Sequence, residues 1–194
     1  MAPGSGPGSG ACALARPIGS AEPSSVKGKS LSSYPEPQYH GEGGEKTAWH
    51  RPFDASPDIV YSNGTTAHYL VAGGQSNGLL GMYQWNMSPE PSGPSPHFHR
   101  SFSESFYILS GSVLIFDGGD WIVTRPGDYV YAPPGAVHAF RNESGEAASM
   151  LILFAPGAPR ETYFEGLLNL AEMTTEEQVE FIESHDQWEA LSES

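Results

Sequence analysis

Three histidines and one glutamate near the middle of the chain are spaced so that β-strands could bring them to one point. His97 and His99 lie two residues apart, and alternate residues of a strand point to the same face. Glu104 begins an apolar run, and a bend over 100–103 would return its carboxylate to the two imidazoles. His138 lies in a later apolar run, after a Pro-Pro-Gly turn, where a neighbouring strand could supply a third nitrogen. The pattern predicts a metal site built by strands.

The chemistry of these four side chains limits the metals that they suit. Neutral imidazoles and a carboxylate are ligands for Fe, Ni, Zn, Cu or Mn, and the single cysteine, Cys12, is far away in sequence. Four protein ligands leave an octahedral ion two open positions, where a substrate oxygen or dioxygen would bind. We interpret Glu104 first as a ligand and second as a catalytic general base.

The first of two sequence motifs in this stretch contains two of the histidines and the glutamate. It runs His-x-His, four residues, Glu, six residues, Gly, and it resembles the first motif of the cupin superfamily. In that family the motif normally opens with a glycine six residues before the first histidine, whereas this chain has Pro91 there and Gly93 two residues later. The positions that match the motif are His97, His99, Glu104 and Gly111.

The second motif contains the third histidine. It runs Gly, five residues, Pro-x-Gly, two residues, His, three residues, Asn, and it is similar to the second cupin motif at every defined position. The resemblance covers 79–154 and implies an all-β fold, a single cupin jelly-roll β-barrel of six to eight strands around the metal. We interpret the glycines and prolines of both motifs as turn residues and the asparagine as structural. The matching residues are Gly127, Pro133, Gly135, His138 and Asn142.

Composition divides the chain of 194 residues into three predicted parts. Residues 1–45 are dense in Gly, Ser and Pro, and we expect a flexible tail because they cannot bury enough apolar surface. Residues 46–160 are expected to form the cupin β-barrel, and 161–194 a helical extension that covers a barrel face or a partner in a homodimer. The apolar piece 11–15 is too short for an export signal, so we expect a cytoplasmic protein.

The acidic charge of the chain restricts its partners. A net charge of −14 argues against nucleic acid and against an anionic membrane surface, which both require a basic patch. No apolar run approaches transmembrane length. A small-molecule substrate remains the expected partner.

Alternating apolar residues and turn signals predict the individual elements. A hairpin is expected around the turn 117–119, and a capping box formed by Thr174 and Glu177 predicts the start of a helix. A shorter helix is expected over 161–170. The predicted strands are 58–61, 66–71, 79–85, 111–116, 120–123, 129–132, the run containing His138, and 149–154.

Four aromatic residues are candidates for the lining of a substrate pocket. By alternation Phe106 shares a face with Glu104, and Phe140 with His138. Tyr83 and Trp85, on a leading strand, are further candidates. Tyr163 and Phe164 could close the mouth of the pocket or serve in helix packing. The remaining histidines fit no ligand spacing and are not expected to bind metal: His40, His50, His68 and His185.

The resemblance implies a metal-dependent enzyme, and we expect a dioxygenase similar in layout to the quercetin-dioxygenase-like cupins. Its substrate would be a small enolic or phenolic molecule, flavonol- or polyketide-like, that chelates the metal together with O2. The resemblance favours Fe2+, with Ni2+, Mn2+, Co2+ and Zn2+ as alternatives. Two other functions stay open: a metal-dependent isomerase, cyclase or decarboxylase that uses no oxygen, and a cupin that binds a small molecule without chemistry.

Overall fold

The computed structural model describes residues 34–190, so most of the predicted tail lies outside the described residues. The chain divides into two compact units, 1–48 and 49–194. In the first unit the described residues 34–48 form no helix or strand. All of the elements below belong to the second unit.

Eleven strands and three short helical segments make up the described part of the second unit. The strands are β1 (Ile59–Val60), β2 (Thr66–Val71), β3 (Gly81–Met87), β4 (His97–Phe98), β5 (Ser103–Ser110), β6 (Val113–Phe116), β7 (Trp121–Thr124), β8 (Tyr129–Ala132), β9 (Ala139–Arg141), β10 (Ala148–Ala155) and β11 (Trp188–Glu189). The helices are α1 (Arg160–Gly166), a 3-10 segment (Leu167–Glu172) and α2 (Thr175–Ser184). No helix within 34–190 has the length and apolar character needed to cross a membrane.

The strands pair in three antiparallel sheets. The largest has the order β1-β2-β3-β10-β5-β8, the second the order β7-β6-β9, and β4 pairs with β11 alone. The fold is therefore all-β with short carboxy-terminal helices, as predicted. Over the described residues the hydrogen-bonded ladders do not close into the expected continuous barrel, and two facing sheets are consistent with an open jelly roll.

The core lies between the large sheet and the three-stranded sheet. β3 and β10 alternate buried and half-buried residues along their whole length, which is the pattern of a strand with one face in the core. From the facing sheet Val113 and Ile115 are fully buried, and the Phe140 ring lies 5.7 Å from that of Phe106 on β5. β5 therefore has a packed face and two hydrogen-bonded neighbours, which fixes the residues that it carries.

The glycine that departs from the first cupin motif has a structural role of its own. Gly93 has a φ of 149°, and a Cβ there would collide with the carbonyl oxygen of Phe140. Its neighbour Ser92 accepts a hydrogen bond of 3.0 Å from the backbone N–H of Asn142. Gly93 therefore permits the close backbone approach that joins the loop before His97 to the end of β9.

Several predicted elements differ from the structure in their bounds, among them one leading strand and the first helix. The strand predicted from residue 79 begins at Gly81, because 73–79 continue a turn. The helix predicted over 161–170 is α1 followed by the tighter 3-10 segment. The capping box of α2 is present, with the Thr174 hydroxyl and the Glu177 carboxylate each accepting a backbone N–H of the other residue.

Candidate metal centre

The structure brings the four predicted ligands together in the interior. His97 begins β4, His99 follows that strand, Glu104 lies on β5, and His138 comes directly before β9. All four are between 2 and 4% exposed. One ligand atom from each lies within 4.8 Å of those of the other three, so the four side chains could hold a metal ion.

Local backbone pairing sets these positions. The backbones of His97 and His138 form an isolated antiparallel bridge, with N–H to carbonyl distances of 2.9 and 2.8 Å in the two directions. The backbone carbonyl of His99 accepts a hydrogen bond of 2.7 Å from the N–H of Gly135, in the turn before His138. The two motifs are thus joined by main-chain hydrogen bonds that hold three imidazoles side by side.

The Nδ1 atom of each histidine points away from the centre and toward a backbone carbonyl oxygen. A carbonyl can only accept, so each Nδ1 carries the hydrogen and each Nε2 offers a lone pair in the neutral ring. A partner of this kind fixes the orientation and tautomer of a metal-binding imidazole. The three distances are 2.8 Å from His97 to Ser95, 2.6 Å from His99 to Asp186, and 3.0 Å from His138 to Ala136.

Two of the Nε2 atoms converge on one carboxylate oxygen. The Nε2 atoms of His99 and His138 each lie 2.9 Å from Oε2 of Glu104. Lone pairs and a carboxylate at this distance repel one another unless a proton or a metal cation lies among them. Adjacent ligands of an octahedral ion with bonds of about 2.1 Å are separated by roughly 3.0 Å, so the spacing fits a first-row transition metal.

Burial and hydrogen bonding set the charges of the site. Burial raises the pKa of Glu104, but without an ion the hydrogen bonds that it accepts from the His138 and His99 rings outweigh burial and hold that pKa well below its usual range. A bound metal ion would replace the hydrogens of these bonds, and each Nε2 would then offer its lone pair to the ion. Burial lowers the pKa of His138, whereas the Glu104 carboxylate more than offsets this, so the pKa is raised. Burial lowers the pKa of His97 to about 3. The carboxylate is therefore charged and His97 neutral at neutral pH, as metal binding requires.

A cavity of about 510 Å³ adjoins the cluster and is lined by both His97 and Glu104. Its volume lies in the range of small-molecule sites. Trp85 and Phe140 line it, and Tyr163 and Phe164 of α1 form another part of its wall. The candidate ligands thus face a mostly apolar chamber whose wall includes several aromatic rings.

The other two aromatic residues predicted to line the pocket are not among the lining residues. The Phe106 ring is fully buried against His138, with 5.9 Å between the ring centroids. Tyr83 is fully buried 5.0 Å from the Phe164 ring, and its hydroxyl donates to Glu161. Alternation gave the correct inward face for both, but neighbouring rings fill the space in front of them.

The carboxy-terminal segment contributes residues that sequence reasoning did not single out. The Asp186 carboxylate accepts from the backbone N–H groups of Arg100 and Ser101, at 3.1 and 2.8 Å, and from the Trp188 indole at 2.8 Å. β11 then pairs with β4, opposite His97 and Phe98. The carboxylate of Asp186 therefore holds the loop after His99, and the backbone carbonyl of Asp186 holds the His99 ring.

Two further missed residues, Arg160 and Gln187, are buried and line the cavity. No motif or spacing signalled either of them. The histidines set aside from the sequence do not belong to the cluster of four, and His185 instead lies against Phe181 at the carboxyl end of α2.

Comparison with known proteins assigns the class of this domain. The family model for the cupin domain matches residues 83–154. That range includes β4 to β9, most of β3 and β10, and all four candidate ligands. The chain therefore contains a region that matches the cupin domain.

Individual relatives match only part of the chain. A quercetin 2,3-dioxygenase of Bacillus subtilis (strain 168) is 33% identical over 61 residues, which are 31% of this chain and 18% of that protein. An uncharacterized protein of Aquifex aeolicus (strain VF5) is 34% identical over 61 residues, 31% of this chain and 50% of that one. The matched region thus spans half or less of these curated relatives. A solved RmlC-like cupin from Shewanella frigidimarina NCIMB 400 is 20% identical, with a TM-score of 0.48 over 60% of this chain and 96% of that chain.

Proposed function

We propose that this protein is a metal-dependent cupin enzyme, a dioxygenase that acts on a small enolic or phenolic molecule of the flavonol or polyketide kind. The observation that carries the proposal is the convergence of imidazole Nε2 atoms on one charged carboxylate at the wall of a mostly apolar cavity. Such a set of electron-pair donors suits a divalent metal cation, and the cavity beside it has room for a substrate.

His97, His99, Glu104 and His138 would hold one divalent transition metal. Their nitrogen and oxygen atoms suit Fe2+, which we favour, as well as Ni2+, Mn2+, Co2+ or Zn2+. When bound, the ion would supply a Lewis acid for a substrate oxygen and a position for O2. The three carbonyl partners keep each ring turned so that Nε2 is available to that ion.

The residues around the cluster would prepare the substrate. Trp85 and Phe140 line the cavity with flat apolar surfaces that exclude water and suit a planar ring. Glu104 is ionised at neutral pH, the form that accepts a proton from an acidic hydroxyl of a substrate held beside it. Loss of that proton would make the substrate more electron-rich and so more reactive toward oxygen.

Oxygen consumption tests this proposal. Metal-loaded protein should consume O2 in an oxygen electrode with at least one member of a panel of flavonols, catechols and β-diketones. The Glu104→Gln variant should not, whereas Glu143→Gln, a matched change at a carboxylate outside the cluster, should match the wild type. Equal turnover in anaerobic buffer would assign an isomerase, cyclase or decarboxylase instead. Tight binding without turnover, unchanged after all metal is removed, would assign a binding protein.

A further inference from the structure

Arg160, the first residue of α1, is a buried cation that lines the cavity. It is 3% exposed, and burial lowers its pKa, although a guanidinium stays charged at any physiological pH. Lysine and arginine are almost never fully buried unless an acidic partner accompanies them. The partner of this charge therefore has to be identified.

No carboxylate within residues 34–190 forms a salt bridge with Arg160, and Glu104, which lines the same cavity, is an acidic group whose charge reaches it. The salt bridges of the described arginines join Arg51 to Asp58 and Arg141 to Glu143, and none joins Arg160 to a carboxylate. Nη1 of Arg160 donates to the His185 carbonyl at 2.8 Å, and Nη2 donates to Gln187 Oε1 at 3.2 Å. Both acceptors are neutral. The buried Nε–H has no hydrogen-bond partner among residues 34–190.

Aromatic rings cover the face of the guanidinium, and Nε is the nitrogen that is left without an acceptor among the described residues. Its central carbon lies 3.9 Å from the Tyr163 ring centroid and 5.2 Å from that of Phe154. Stacked rings stabilise the cation through its face, whereas the N–H groups point outward in its plane. An acceptor with two oxygen atoms, lying in that plane and inside the cavity, would give the remaining N–H groups of Arg160 a hydrogen-bond partner.

We propose that Arg160 binds a carboxylate of the substrate, which places this protein's substrates among small apolar or aromatic acids. The body of the acid would lie against Trp85, Phe140 and Ile152, and its other end would face His97 and Glu104. A planar, singly charged carboxylate matches one guanidinium fork. A phosphate carries more charge and would need more donors than this apolar chamber provides. The inference rests on the proposed function only in taking this cavity as the substrate site.

Paired acids and amides test the inference on metal-free protein, from which the chelator has been removed by desalting because chelators are themselves carboxylates. Benzoate, cinnamate and 2-naphthoate are each compared with the amide of the same shape by isothermal titration calorimetry. We expect at least one acid to bind about tenfold or more tightly than its amide. If no acid of the panel binds more tightly than its amide, the inference is wrong.

Variants separate recognition from a structural role of Arg160. Arg160→Gln should abolish the preference for the acid, and Arg160→Lys should retain part of it. Arg141→Gln is the matched control, because Arg141 stacks on Trp121 at 3.8 Å outside the cavity, and it should keep the full preference. Gln187→Ala removes a protein contact of Arg160 within the cavity but leaves the cation, so the preference should fall by less than in Arg160→Gln.

The outcomes remain distinct from those of the oxygen experiment. Equal loss of the preference in Gln187→Ala and Arg160→Gln would assign Arg160 a structural role and overturn the inference. If Arg160→Gln does not fold, as judged by circular dichroism, the ratio of acid to amide affinity in wild type and in Arg160→Lys still decides. Oxygen uptake without any acid preference would refute only the carboxylate assignment. Acid preference without oxygen uptake would refute only the dioxygenase.

Discussion

The two sides of the cavity differ in the interactions that hold them in place. The motif side, residues 97–138, supplies the four candidate ligands, and its backbone is fixed by the pairing of His97 with His138 and by the strand ladder of β5. The carboxy-terminal side, residues 160–190, supplies a buried cation, two aromatic walls and the carbonyl that holds His99. The first side is built from two motifs of defined spacing that pair with each other, whereas the second reaches the site only through packing.

This difference suggests that one side binds the metal and the other side selects the substrate. The motif side sets which cation is held, because it carries the donor atoms. The carboxy-terminal side sets what lies beside that cation, because Arg160, Tyr163 and Phe164 belong to the cavity wall. Changes on the first side should therefore abolish metal binding, and changes on the second should alter it by smaller factors or alter ligand choice.

The largest effect is expected at the carboxylate of the motif side. Glu104→Gln keeps the shape of the side chain but removes the charge on which two Nε2 atoms converge. Because losing a partner of a ligand costs 10–100-fold in metal affinity, losing a ligand should cost more than about a hundredfold. Competition with a fluorescent chelator measures this affinity. An unchanged affinity in Glu104→Gln would mean that Glu104 is not a ligand.

A smaller effect is expected where the two sides meet. Asp186→Ala removes the carboxylate that holds Arg100 and Ser101, and it leaves a residue with a φ of 55° that suits alanine poorly. The His99 ring should lose its fixed orientation, and metal affinity should fall by about tenfold. Asp117→Ala is the control, because Asp117 caps the distant turn at Gly119 and Asp120 in the same manner. Equal metal affinities for Asp186→Ala and Asp117→Ala would show that Asp186 does not help to orient His99 for metal binding.

The acid sensitivity of the metal-free protein should come partly from His97. Because burial lowers its folded pKa to about 3, only the unfolded chain takes up this proton as the pH falls below about 6.5. Wild type should therefore lose about 1 kcal/mol of unfolding free energy per pH unit from this residue between pH 6 and 4.

His97→Gln should lack this component. Urea unfolding at several pH values measures the slope, and the exposed His50→Gln should behave as the wild type. Parallel pH dependences for wild type and His97→Gln would show that His97 is not buried as a neutral imidazole.

The smallest effect is expected from the helix that lies behind the carboxy-terminal side. Thr174→Ala removes the side-chain acceptor of the capping box of α2. Helix caps contribute modestly to stability, so the melting temperature should fall by about 3 °C. Metal affinity should not change, because α2 carries none of the candidate ligands. A loss of metal comparable with that of Asp186→Ala would mean that the whole carboxy-terminal side positions the ligands.

The sequence predicts the motif side well for a physical reason. Strand alternation puts His97 and His99 on one face, and two motifs of defined spacing place Glu104 and His138 relative to turns. The relations within each motif are local, so they hold before the packing of the domain is known. That the two motifs meet is implied by the resemblance to the cupin family, because His97 and His138 are far apart in the sequence. Alternation also predicts that Phe106 and Tyr83 point inward, but it does not reveal that other rings fill the space before them.

The carboxy-terminal side is not predictable in the same way. The hydrogen bond from His99 to Asp186 joins residues 87 positions apart, and no periodicity encodes it. The sequence indicated helices there and left open whether they cover a barrel face or a partner. Arg160 resembled an ordinary first-turn residue of a helix, and only its burial against Tyr163 and Phe154 shows its relation to the cavity.

Elemental analysis by mass spectrometry tests the central claim most directly. Natively purified protein should contain close to one transition metal ion per chain, and His97→Ala/His138→Ala, prepared identically, should contain none. His50→Ala/His68→Ala removes two imidazoles outside the cluster and should keep the metal of the wild type. Absence of metal from wild type, even after reloading with Fe2+, Ni2+, Mn2+, Co2+ and Zn2+, would contradict the proposed metal centre. Equal metal in wild type and in His97→Ala/His138→Ala would place the ion elsewhere in the chain.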